Sequence, residues 1–243
     1  MLKEEGRFKP LKKVKLVDLS QEIYQGMPVY PGHLKTVIWF HQTHEEVKRA
    51  LGTGFSYATC GLLMSDHGPT HVDSISHIST KPGAKSIDQL PLELFYTEAI
   101  CLDVSHVPPR TYITKKDLED ALKKSGLEIK KGDTVLLYTG HYNKRYGTPE
   151  WLTHYPGLDR EATLWLADKG VVNIGIDAPS IDNPADKTYP AHTVCGERDL
   201  LNIENMANLD KVVNKRFKFI GFPLKIRGGT GSPIRAVAVL EEE

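Results

Sequence analysis

The chain has 243 residues, 40% of them hydrophobic and 26% charged, a balance that fits a soluble globular domain and excludes a low-complexity or collagen-like chain. Thirty-one basic residues match thirty-one acidic ones, so no general electrostatic field favours nucleic acid or an anionic membrane. A chain of this length buries roughly 70–75% of its unfolded surface and needs no disulfide staples. Cys60, Cys101 and Cys195 stand far apart with no C-x-x-C pair, which argues against a disulfide framework and a zinc ribbon. Met1–Lys13 is charged and lacks the apolar core of a secretory signal, and no apolar run approaches the ~20 residues of a membrane span. A cytoplasmic protein is expected.

No repeat and no Ser/Gly/Pro-rich linker divides residues 1–243, so a single domain is expected. β-branched and aromatic runs bounded by turn residues predict strands at Val14–Leu19, Thr36–Phe40, Phe55–Met64 and Ala99–Val104. The same signal recurs at Thr134–Thr139, Val171–Ile176, Phe217–Phe222 and Ile234–Leu240. Thr114-x-x-Asp117 reads as a capping box that opens a helix ending at Gly126, with Leu118, Ala121 and Leu122 at helical spacing. Asp159 is placed to cap a second helix that stops at Gly170. About eight strands with few helices predict a β-rich α/β fold. Ser65–Lys81 and Ala178–His192 lack periodicity and read as irregular segments, where binding chemistry usually sits.

The first of these segments holds His67, His71, Asp73 and His77 within eleven residues. Imidazole and carboxylate are the ligand types that suit zinc, manganese or iron. Gly68-Pro69 disfavours a long helix here, so a tight turn feeding a short extended segment is expected. In an extended segment His71, Asp73 and His77 share a parity and point to one side. The remaining histidines (His33, His41, His44, His106, His141 and His154) are isolated and read as ordinary core or surface residues. His192 closes the proline-containing loop and Glu204 follows twelve residues later; each is weak evidence alone.

The run His67-Gly68-Pro69-Thr70-His71-Val72-Asp73-Ser74-Ile75-Ser76-His77 resembles the signature of the cyclase-like metal hydrolase family, which includes the bacterial kynurenine formamidases. The resemblance continues in Gly175–Asp182, in Ala191-His192 with Glu204-Asn205, and in Pro223–Ile226 followed by Gly228–Pro233. It spans about residues 14–240. It implies a swivelling β/β/α fold assembled as a homo-dimer or homo-tetramer. It also implies two divalent metals, one bound by His67, His71 and Asp73 and the other by Asp73, His192 and Glu204, with bridging carboxylates. Zinc is the expected metal and manganese the alternative, and His77 is the catalytic acid/base. Pro69 stands where the family usually has Gly, and Ile75 where it usually has Pro; neither position supplies a ligand, but both alter the loop.

Two metals would acidify a bound water and polarise an amide carbonyl, and an imidazole such as His77 could return the proton to the leaving amine. Asp66, Asp177 and Thr70 are candidates for orienting the ligand histidines. The expected activity is arylformamide hydrolysis, N-formylkynurenine giving kynurenine and formate, on a small-molecule substrate. The alternatives are a cyclic amide or lactone hydrolase of the isatin-hydrolase type, or a metal-stabilised protein without turnover. Isatin-hydrolase-type relatives are expected to carry a neutral amide where Glu204 stands and to hold one metal, so Glu204 favours two. Gly228–Ser232 lacks the Gly-Lys-Ser/Thr ending of a phosphate loop, and no Gly-x-Ser-x-Gly elbow is present. Trp39, Trp151, Tyr146 and Tyr155 are aromatic candidates for a pocket wall, with packing the alternative role.

Overall fold

The computed structural model describes residues 14–241. Its strands are β1 (Val14–Asp18), β2 (Val37–Gln42), β3 (Thr59–Leu63), β4 (His71–Asp73), β5 (Tyr96–Asp103), β6 (Tyr112–Ile113) and β7 (Thr134–Tyr138). They continue with β8 (Gly157–Leu158), β9 (Asn173–Ile176), β10 (Leu201–Glu204), β11 (Arg216–Ile220), β12 (Gly231–Pro233) and β13 (Val237–Glu241). The α-helices are α1 (His44–Leu51), α2 (Ile75–Ile78), α3 (Lys115–Ser125), α4 (His141–Arg145), α5 (Arg160–Asp168) and α6 (Pro190–Arg198). Nine strands form one curled, mixed sheet in the order β1-β13-β11-β5-β7-β9-β10-β4-β12. The β-rich α/β class is therefore borne out.

The middle of the sheet, β5-β7-β9-β10, is parallel, and the strands on either side run antiparallel. Parallel strands are covered on both faces, which is why β9 and β10 are buried at every residue and do not alternate. Parity sorts the side chains. Ile100, Leu102, Val135, Leu137 and Ile174 join the cluster under α3, α5 and α6, with Leu118, Ala162 and Leu166. Ala99, Cys101, Leu136 and Ile203 face the other way, onto Val72, Phe217, Phe219 and Ala238.

Both predicted helices form as their caps dictate. Thr114 and Asp117 make the two reciprocal capping-box bonds of α3, and Gly126 ends it with φ 67°. Asp159 caps α5 by accepting from Ala162 N at 2.7 Å. The unpredicted α1 is capped by Thr43 and Glu46 and buries only Val47. Tertiary packing changes three expectations. The Phe55–Met64 run shortens to β3, which pairs only with β2 in a separate hairpin. The Ile234–Leu240 run shortens to β13, leaving Ile234 in an isolated bridge to Pro223. The Ala178–His192 segment is not loop to its end: Pro190 occupies the first turn of α6, so His192 projects from a helix.

Gly157 on β8 sets how closely this segment approaches the core. A Cβ there would lie 2.0 Å from the backbone of Asp182, so only glycine lets the Asp182–Asn183 turn pack against the strand. The turn connects β9 to α6 beyond the carboxyl ends of the parallel strands, where open α/β sheets bind their ligands.

Candidate metal centre

The centre is assembled by cross-strand pairing. In the antiparallel register Glu204 of β10 lies opposite His71 of β4, and Ile203 opposite Val72, so Asn202 and Glu204 share a face with Asp73 and His71. On the other side of β4, Gly231 of β12 stands opposite Asp73. A Cβ at Gly231 would come within 2.7 Å of His67 Cε1. The missing side chain is the space the His67 ring occupies.

The turn expected before β4 forms through Gly68-Pro69 and delivers His67, and the extended segment is only three residues long. His71 and Asp73 share its parity as expected. His77 does not belong to that segment: it sits on α2, four residues after Asp73, and reaches the site from a helical turn. Helical geometry brings its Nε2 to 3.8 Å from Asp73 Oδ2 and its ring centroid to 3.9 Å from that of His67.

Each of the three other imidazoles has its outer nitrogen committed. His71 Nδ1 donates to the Pro69 carbonyl at 2.9 Å. His192 Nδ1 donates to Asp182, whose oxygens also accept the Ala191 and His192 backbone N–H groups at the start of α6. Thr230 gives its hydroxyl proton to Asp66 at 2.8 Å, so its oxygen accepts from His67 Nε2 at 2.8 Å. The inner nitrogens then present lone pairs to carboxylate oxygens. His67 Nδ1 is 2.7 Å and His71 Nε2 3.2 Å from Asp73 Oδ1. His192 Nε2 is 3.4 Å from Asp73 Oδ2 and 3.3 Å from Glu204 Oε1. Asn202 Nδ2 donates to Asp73 Oδ2 at 2.8 Å and is itself buried.

Lone pairs facing carboxylates call for a cation, and this donor set of imidazole nitrogens and carboxylate oxygens fits a divalent metal. Without one, protons fill the role. Burial disfavours the His192 imidazolium, but its bonds to Asp182, Asp73 and Glu204 outweigh that and raise its pKa well above the ordinary value. Burial likewise opposes a charged His71, and Asp73 and Glu204 overcome it. Burial would raise Asp73, yet the surrounding imidazoles hold it well below the usual carboxylate range. His77 differs: burial lowers its pKa despite the attraction of Asp73, and its ring makes no hydrogen bond among the described residues.

The structure thus brings together all six predicted site residues, His67, His71, Asp73, His77, His192 and Glu204. Of the proposed supports, only Asp66 acts on one of the candidate ligand histidines, His67, through Thr230. Thr70 instead accepts from Gln21 N and donates to the Asn205 carbonyl, tying β4 to the end of β10. Asp177 is a correction: it is buried on Thr139, and burial raises its pKa to about 6. Asp182, Asn202 and Thr230 were missed as supports. Asn202 was legible as i−2 from Glu204 on a strand, whereas Asp182 and Thr230 meet the ligands only through the fold.

The centre opens into a cavity of about 810 Å³. His33 lines it with its ring centroid 5.3 Å from that of His67 and its Nδ1 buried without a partner, so its reading as an ordinary isolated histidine is too plain. The Tyr30 and Tyr189 hydroxyls meet at 3.1 Å on the same wall. Of the four candidate aromatics only Tyr155 lines this cavity. Trp151 stacks on the buried His141, Tyr146 packs edge-on against Trp151, and Trp39 lies exposed on β2.

Two outcomes follow from this geometry. Gly231→Ala pushes on His67 and should weaken zinc affinity about 10–100-fold in a chelator-competition titration; unchanged affinity would remove His67 from the centre. His71 and His192 hold protons below their raised pKa values and must lose them to bind a metal. Affinity should therefore fall as pH falls, with about two protons released per chain in calorimetry across buffers of different ionisation enthalpy.

A family described as “Putative cyclase” matches residues 17–183. The chain is 29% identical over 227 residues to the kynurenine formamidase of Bacillus mycoides (strain KBAB4), covering 93% of this chain and 98% of that protein. Its identity to the kynurenine formamidase of Salinibacter ruber (strain DSM 13855 / M31) is also 29%, covering 91% and 96%. Isatin hydrolase A from Labrenzia aggregata shares the fold with a TM-score of 0.83 at 23% identity, covering 94% of both chains. A solved protein titled a potential metal-dependent hydrolase with cyclase activity has a TM-score of 0.73 at 26% identity, covering 95% and 100%. With a match across more than half of its length, and with the histidine–aspartate signature of that family in place, the chain belongs to the cyclase family of metal-dependent hydrolases.

Proposed function

We propose that this protein is a metal-dependent amidohydrolase that releases formate from N-formylkynurenine or a close arylformamide. The observation that carries the reading is the convergence of three oriented imidazoles on Asp73 and Glu204, beside a free His77, at the floor of an open cavity. A purely structural metal site saturates its ligands and closes over them. The formamidase relatives, which align with 93% of this chain, support the substrate class.

His67 and His71 address one oxygen of Asp73 while His192 addresses the other together with Glu204, so His67, His71 and Asp73 would hold one divalent metal and Asp73, His192 and Glu204 a second. Zinc suits this donor set, with manganese as the alternative. Divalent metal held here would polarise the amide carbonyl and acidify a water. His77, kept neutral by burial, takes the proton of the attacking water, and its imidazolium is steadied by Asp73 at 3.8 Å. It then returns that proton to the departing aryl nitrogen. Asn202 fixes the Asp73 carboxylate, and Ile181 N donates to Glu204 Oε1 at 3.1 Å, so neither carboxylate swings during the reaction.

Residues 14–240 act as one catalytic domain in a homo-oligomer, supported by the Trp39, Phe40, Leu62 and Leu63 side chains that the β2–β3 hairpin exposes. The three cysteines are free, which supports a reducing cytoplasm. No helix among the described residues is long and apolar enough to cross a membrane.

Protein reconstituted with zinc or manganese should hydrolyse N-formyl-L-kynurenine with kcat/KM of about 10⁴ M⁻¹s⁻¹ or more. A rate at the metal-free level would reject the formamidase reading and transfer the assay to cyclic amides and lactones. His77→Ala should retain the metals and lose about 10²–10⁴-fold in kcat; loss of metal along with activity would make His77 a ligand.

A further inference from the structure

We propose that Arg110 is the anion anchor of this cavity, holding a carboxylate that the substrate carries away from the bond being cleaved. The inference rests on the hydrolase reading and adds to it a residue that selects the substrate. Arg110 lines the same 810 Å³ cavity as His67, His77, His192 and Glu204. Arg49, Arg145, Arg160, Arg198, Arg216 and Arg235 each have a carboxylate partner within 4.0 Å, whereas Arg227, away from the cavity, has none among the described residues. Arg110 also has none, and its guanidinium makes no hydrogen bond among the described residues.

The carboxylates nearby on the wall are already engaged. Asp182 holds His192 and the start of α6. Asp186 accepts the Tyr112 hydroxyl at 2.6 Å on one oxygen and the Thr188 backbone and hydroxyl at 2.8 and 2.7 Å on the other. Neither forms an ion pair with the guanidinium within 4.0 Å among the described residues. Lys187, the second cation of the wall, is likewise without a carboxylate and donates only to the Pro184 carbonyl at 3.3 Å.

The backbone under Arg110 is built rather than loose. Its φ of 61° is a left-handed conformation that a residue with a Cβ rarely adopts. Arg110 N donates to the Tyr155 carbonyl at 2.9 Å, and the Arg110 carbonyl accepts from Asn183 Nδ2 at 3.2 Å. These two bonds clamp Arg110 between the Tyr155 wall and the Asp182–Asn183 turn that orients His192. Arg110 is exposed on the cavity wall, so its guanidinium is open to a ligand that enters the cavity. A guanidinium is suited to this role because its planar fork takes both oxygens of a carboxylate and gives up its hydration readily. The ligand class that fits is a small aryl amide with a free carboxylate arm: the aryl group against Tyr155, Leu152 and Pro179, the carboxylate on Arg110, the amide at Asp73.

The test uses metal-loaded wild type, Arg110→Met and Arg110→Lys, with N-formyl-L-kynurenine and the neutral formanilide as substrates. Arg110→Met should raise KM for the carboxylate substrate about tenfold or more with little change in kcat. It should leave kcat/KM for formanilide within about twofold, and Arg110→Lys should recover part of the loss. Equal losses on both substrates, or none on either, would overturn the anchor. If wild type hydrolyses neither compound, the formamidase reading fails, and calorimetric binding of L-kynurenine against its carboxamide decides the anchor alone. A carboxylate preference that Arg110→Met abolishes supports it; a preference that survives the substitution, or is missing from wild type, overturns it.

Discussion

A carboxylate buried to 1% exposure with three imidazole nitrogens within 3.4 Å is the constraint around which this molecule is arranged. An uncompensated charge at the position of Asp73 would be costly, and each imidazole near it repays that cost only if its own outer nitrogen is satisfied elsewhere. The fold supplies those outer partners from three unrelated places. Pro69 comes from the turn before β4, Asp182 from the turn after β9, and Thr230 from the segment that leads into β12. Moving any of these elements would leave a buried polar group without its counterpart.

The sheet explains why the partners can converge. β4 is three residues long, yet it is paired on both sides, by β10 and by β12. Pairing on both edges holds the short strand to one register, and a slip of one residue would exchange His71 and Asp73 for Val72. β10 is in turn locked to the parallel core through β9, whose Ile174 and Ile176 join one hydrophobic cluster while Leu201 and Ile203 of β10 join the other. The rigidity of the centre therefore comes from the core strands, and His77 is left on the one-turn helix α2 at the cavity edge.

The cavity wall follows a different rule. Around Asp73 positive and negative groups neutralise one another at short range. Farther out, the acids are tied to hydroxyls and backbone amides while Arg110 and Lys187 are left without carboxylates. The imidazole–carboxylate floor and two cations without ion-pair partners therefore share one space, joined through the Asp182–Asn183 turn. Electrostatics of this kind orient a substrate before the chemistry begins.

What the sequence by itself determined was the chemistry and the class of fold. The spacing of His67, His71, Asp73 and His77 is local, and so are the capping residues Thr114 and Asp159; each is readable because the interacting groups are neighbours in the chain. His192 and Glu204 were legible only through the family resemblance, since nothing local marks them. Tertiary structure alone decided the rest. It placed His192 on a helix, since α6, with its cysteine and glycine, carries little helical signal of its own and is set by Pro190 and by Asp182 at its amino end. It drew Asp182 onto His192 and Thr230 onto His67, removed Asp177 from the site, and brought His33 and Arg110 to the cavity. Those contacts join segments far apart in the chain, and long-range pairing leaves no period or spacing in the sequence from which to read it.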